Sequence, residues 1–111
     1  MIKQYVFVIS ILFFTTACST ENDFDKLCGY YKDLSGSSKQ ELMSKAQNLE
    51  FINKKVQKGL KETSQARQAW EVVVYAVPEE RYDIFKSTTV ELLGTEWACK
   101  EMQALMPITG E

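Results

Sequence analysis

Leu42, Ala46, Leu49, Ile52, Val56 and Leu60 recur at intervals of three and four residues. That spacing gathers side chains on one stripe of an α-helix and scatters them over both faces of a strand. Upstream, Phe24, Leu27, Cys28, Tyr31 and Leu34 keep the same spacing and predict a first helix ending at SGSS, residues 35–38. Ser38 followed by Glu41 has the form of a capping box and predicts where the long helix begins. Gly59 and the run KETSQ predict its stop, with Thr63 or Ser64 as the next N-cap. The segment AWEVVVYAV, residues 69–77, reads two ways. Three consecutive valines and a tyrosine suit a strand, whereas Ala66, Ala69, Trp70, Val73 and Val77 share one helical stripe. Its length and its helical neighbours favour the helix.

Pro78 ends that element and opens the next, PEERYDIFKSTTVELLG. Tyr82, Phe85, Thr89, Leu92 and Leu93 give it an inner face, and Gly94 suits a C-terminal cap. Thr95 is the expected N-cap of a final short helix carrying Ala98, Cys99, Met102, Leu105 and Met106, closed by Pro107. The expected fold is therefore all-α, a small bundle of about five helices over residues 24–106, with residues 107–111 as a frayed tail.

The first residues follow a different pattern. Met1, Ile2, Lys3 and Gln4 are weakly basic, Tyr5 to Phe14 are mostly apolar, and Thr15, Thr16 and Ala17 are small. This is the three-part layout of an export signal over residues 1–17. The apolar run is shorter than the roughly 20 residues of a membrane-spanning helix, which makes an uncleaved anchor the lesser reading. TTAC, residues 15–18, resembles the lipobox of bacterial lipoproteins, in which a small residue precedes a cysteine that is diacylated and becomes the first residue after cleavage. The resemblance implies that Cys18 is the lipidation site and residues 18–23 a short lipidated tether. Ser19 resembles the residue that directs such lipoproteins to the outer membrane. Thr15 stands where that family most often has Leu, and Thr15 with Ala17 also suits a general signal peptidase, which would release a soluble periplasmic or secreted chain.

The chain has three cysteines. An exported chain with three leaves one unpaired, and assigning Cys18 to lipid leaves Cys28 and Cys99 as the remaining pair. An oxidising compartment permits a disulfide between them, and two buried free thiols are the alternative. The stretches LCGYYKDL and RQAWEVVVYAVPEERYDIFKSTTVELLGTEWACKEM are also similar to small uncharacterised helical proteins of gram-negative bacteria, a resemblance that implies no activity.

Several chemistries are excluded or unsupported. There is no histidine and no GxSxG elbow, so the usual Ser/His and Cys/His nucleophiles have no base. Neither a zinc ligand set, a calcium loop nor a phosphate-binding glycine motif is present, and no cofactor or metal is expected. Glu79, Glu80 and Asp83 cluster, as a carboxylate-based enzyme acting on cell-wall glycans would require, but acids in the first turn of a helix also stabilise its dipole.

Lys54, Lys58 and Lys61, with Lys45 and Lys55 nearby, form a basic stripe that either faces anionic headgroups or is simply the solvated side of an amphipathic helix. With a net charge of −2, an exported domain is not expected to bind nucleic acid. Among many aromatics, Tyr30, Tyr75 and Tyr82 are candidates for an interface with an envelope protein, while Trp70, Phe85 and Trp97 suit a core around Cys28 and Cys99. Arg81 is expected to pair with a neighbouring helix. The functional expectation is a non-catalytic binding or accessory module, held at the membrane by Cys18 and facing the periplasm. The alternatives are a carboxylate enzyme and a purely structural surface lipoprotein.

Overall fold

The computed structural model describes residues 22–110, so Cys18 and the export-signal residues lie outside the described part. Among the described residues there are five α-helices and no strand: α1 Asp23–Ser35, α2 Lys45–Gly59, α3 Gln65–Val73, α4 Arg81–Leu93 and α5 Lys100–Leu105. The all-α reading holds. Single 3-10 turns lie at Gln40–Leu42, Pro78–Glu80 and Met106–Ile108.

Helix α1 begins where Asn22 accepts a hydrogen bond from the Asp25 backbone N–H at 2.8 Å, with Asp23 and Asp25 in the first turn, where acids oppose the dipole. Its buried stripe is the expected one, Phe24, Leu27, Cys28, Tyr31 and Leu34. Helix α2 starts later than Ser38 and Glu41 suggest. Ser44 is the N-cap, and the reciprocal box is Ser44 with Gln47: Gln47 N–H donates to Ser44 Oγ at 3.1 Å and Ser44 N–H to Gln47 Oε1 at 2.8 Å. Both reciprocal bonds are made at Ser44, whereas Glu41 lies in the 3-10 turn, whose Leu42 is 88% exposed.

Ser64 caps α3 through the Arg67 N–H. The helix stops at Val73, short of Val77, so the residues that hesitated between strand and helix include a turn. Gly94 closes α4 with φ 70°, the left-handed conformation glycine adopts without a Cβ penalty. Thr95 does not cap α5. Residues 96–99 carry no helix, and α5 begins only after an extended Cys99.

Helix α1 is the hub. It packs on α2, α3 and α5, while α3 packs on α4. The disulfide Cys28–Cys99 joins α1 to the stretch before α5, across a sequence separation of 71. Beside it Phe85 meets Phe24 edge-on at 6.0 Å and Trp97 at 5.8 Å, and the Trp97 indole N–H donates to Asp25 at 3.0 Å. This seam is tight, apolar and covalently closed.

Residues 106–110 are docked, not frayed. Thr109 and Gly110 are buried, Thr109 Oγ1 donates to the Leu105 carbonyl at 2.6 Å, and Asn48 Nδ2 of α2 donates to the Ile108 carbonyl at 2.9 Å. Arg81, 2% exposed, sends its Nε–H to the Ala76 carbonyl at 2.9 Å. One of its terminal nitrogens donates to the carbonyls of Met106 at 3.2 Å and Thr109 at 3.4 Å. A buried guanidinium facing main-chain carbonyls fixes a segment that composition alone marks as a loose end.

Candidate functional site: the cleft between α2 and α3

Helices α2 and α3 are consecutive, yet both lean on α1 and scarcely touch each other. Arg67 at the start of α3 holds them together at the turn. Its side chain, 9% exposed, donates to the Leu60 carbonyl at 2.9 Å and to Gln57 Oε1 at 2.7 Å, and lies 3.6 Å from Glu71. From that pinned turn the helices diverge, and a cleft of about 420 Å³ opens where the start of α2 faces the end of α3. Ala46 and Leu49 line it from α2 and Trp70, Val74 and Tyr75 from α3 and its end, with Glu50, Asn53 and Glu71 as the polar members. Its size falls in the range of roughly 300–1,000 Å³ that ligand clefts occupy.

Side-chain contacts tie the two walls of the cleft at both ends. Arg67 sets the closed end. At the open end the C-terminal segment links the two walls: Asn48 holds the Ile108 carbonyl, and Gly110 packs so closely on Arg81 and the Val74 carbonyl that a Cβ there would stand 2.9 Å from each. Beneath the floor, the Trp70 indole N–H donates to the Tyr31 hydroxyl at 2.9 Å. Burial pushes the Tyr31 phenol far above its ordinary range, opposed in part by that hydrogen bond and by the Arg81 charge.

The three candidate tyrosines have separate fates. Tyr75 is 73% exposed and lines the cleft. Tyr82 is a correction: only 7% exposed, its hydroxyl accepts the Cys99 backbone N–H at 3.0 Å, so it serves the closed seam and not an interface. Tyr30 is half-buried against the core, and its hydroxyl occupies the place a Cβ at Gly59 would take.

The basic stripe is divided as well. Lys54 pairs with Glu50 at 3.2 Å on the α2 surface, and Lys58 is exposed in the last turn. Lys61 lies past the Leu60 C-cap, so it is not on the helix, and with Lys58 and Arg67 it lines a second, shallower hollow at the turn. Lys55 bridges to Asp33 of α1 at 3.2 Å and lies 5.4 Å over the Phe51 ring. Glu79, Glu80 and Asp83 are exposed around the start of α4, outside the cleft. Cys28, Cys99 and Glu101 bring three ligand-type atoms within 4.8 Å, but the two sulfurs are bonded to each other and offer no thiolate. No helix among the described residues is long and apolar enough to cross a membrane.

Sequence reasoning missed Arg67, Glu50 and Glu71. For Arg67 a signal existed: with Trp70 and Val74 three and seven residues on, it falls on the inner stripe of α3. Glu50 and Glu71 look like ordinary surface acids until the divergence of two helices makes them neighbours of one cleft. In comparisons with known protein families, with curated proteins and with solved structures, nothing matches this chain.

Proposed function

We propose that this protein is an envelope lipoprotein, anchored through Cys18 with its domain in the periplasm, and that the domain is a non-catalytic binding module. The address is supported by the export-signal pattern of residues 1–17, the small residues before Cys18, and a disulfide that uses the other two cysteines and belongs to an oxidising compartment. The binding role is supported above all by the cleft. It is preformed, floored by apolar side chains and held at both ends by side-chain hydrogen bonds of Asn48 and Arg67, so a partner meets a surface with little left to order. The acids around the start of α4 are exposed, and the chain has no histidine to act as a base.

The test is the mass of the mature N-terminal peptide from membranes of an expressing bacterium, alongside fractionation of a Cys18→Ser variant. A diacylglyceryl group on Cys18, and release of the variant from membranes, is the expected result. An unmodified Cys18 in a soluble chain overturns the anchor and leaves a periplasmic or secreted domain.

A further inference from the structure

We infer that the α2–α3 cleft docks a cationic amphipathic helix of a partner protein, its apolar stripe on the floor and its Lys or Arg side chains against Glu50 and Glu71. The inference rests on the binding-module reading and adds the chemistry of the partner. Three observations carry it. The first is shape: the α2 wall runs from Ala46 to Asn53, about two turns of helix, and the α3 wall faces it, which matches the length over which a helix presents anchors at i, i+3, i+4 and i+7.

The second is apolar surface beside the cleft that the fold leaves uncovered. Val72 near the end of α3 and Tyr75 and Val77 just past it are all more than half exposed; Tyr75 lines the cleft, whereas Val72 and Val77 lie outside its lining. Exposed apolar side chains beside a cleft favour contact with another molecule.

The third is charge. The ionisable acids of the lining are Glu50 on one wall and Glu71 on the other, and no base lines the cleft. Each acid already has an intramolecular cation, Lys54 at 3.2 Å and Arg67 at 3.6 Å, but Glu50 is 66% exposed and Glu71 47% exposed, and each keeps open acceptor positions. Acids on both walls call for cations on both flanks of the docked stripe, a more specific demand than net positive charge.

The experiment titrates the mature chain carrying Cys18→Ser, which removes lipid and detergent, with two designed helical peptides by calorimetry. Both carry Leu at i, i+3, i+4 and i+7; one has Lys on both flanks of that stripe and the other Glu. The expected result is a Kd lower by on the order of tenfold or more for the Lys peptide, a gap that narrows with added salt. The Glu50→Gln, Glu71→Gln double variant should close that gap while keeping its helical circular dichroism, since both side chains are substantially exposed. Equal affinities, or a gap that survives in the double variant, overturn the charge assignment and leave the binding-module reading standing. Binding of neither peptide overturns the inference. The module reading is then decided separately by a photo-crosslinker at position 75 in intact cells: a crosslink to a second copy replaces the inference with self-association, and no crosslink to any protein removes the module reading too.

Discussion

The two sides of α1 are built oppositely. On one, α5 and the stretch before it close over Cys28 with a disulfide, two aromatic contacts, a hydrogen bond from Trp97 to Asp25 and one from the Cys99 N–H to Tyr82. On the other, α2 and α3 both pack on α1 but diverge from each other, and buried side chains hold their angle without filling the space between them. A seam needed only for stability is closed with apolar area and a covalent bond. Where a gap persists in so small a domain and is braced at both ends, its shape is part of what the sequence specifies.

The sharpest way to break this comparison is to open the closed side. Replacing Cys28 and Cys99 together by Ala removes a cross-link spanning 71 residues and is expected to cost about 4 kcal/mol in the chain-entropy model, read from the denaturant midpoint under oxidising conditions. An unchanged midpoint would show that packing alone seals the seam. The next largest effect belongs to the brace: Arg81→Ala strands the carbonyls of Ala76, Met106 and Thr109 in a buried site and is expected to cost about 3 kcal/mol. If the midpoint held while amide exchange at residues 106–110 rose sharply, the C-terminal segment would be a detachable strap and not part of the fold.

How far these regions could be read beforehand follows from the same contrast. The inner stripe of α1, the second half of that of α2 (Ile52, Val56 and Leu60), the glycine cap of α4 and the cysteine pair depend on local spacing or simple arithmetic, and these were legible, whereas Leu42 and Ala46 at the start of the expected α2 stripe are exposed. The brace was not legible. Residues 107–111 look loose because Pro, Gly and Thr are turn formers, and only the distant Arg81 and Asn48 make Thr109 a buried residue. Helix starts misled for a different reason: Ser38 with Glu41 and Thr95 have capping chemistry, but Ser44 with Gln47 offers the same local signature and is the box used, while α5 starts at Lys100 with no side-chain cap at all. The cleft needed three dimensions, because Glu50 and Glu71 become a pair of walls only when the helices diverge.

Tyr31 touches both sides of the comparison, since it lies in α1 and accepts from Trp70 under the cleft. Burial holds its phenol above the ordinary value of 10.0. Below that value the folded and unfolded chains both keep the proton and the contribution is whole. As pH rises past it, the unfolded chain releases a proton the folded chain retains, so stability falls. Tyr31→Phe is expected to cost about 1–2 kcal/mol at neutral pH, because the Trp70 N–H loses its acceptor, and to flatten the alkaline decline. Denaturation midpoints from neutral pH upward check both parts. A decline unchanged by the substitution would assign it to other groups.

The smallest effects separate two tyrosines that the sequence treats alike. Tyr82→Phe leaves the buried Cys99 N–H without its acceptor and is expected to cost about 1 kcal/mol. Tyr75→Ala removes a larger group, yet the side chain is mostly in water and the expected change is within about 0.5 kcal/mol. The order runs against side-chain size, so only the division into a sealed seam and an open cleft predicts it. A Tyr75→Ala variant that unfolds as readily as one lacking the Tyr82 hydroxyl would mean that Tyr75 packs down into the cleft and closes it. The space between α2 and α3 would then be core, and the docking surface would have to be sought at Val72 and Val77.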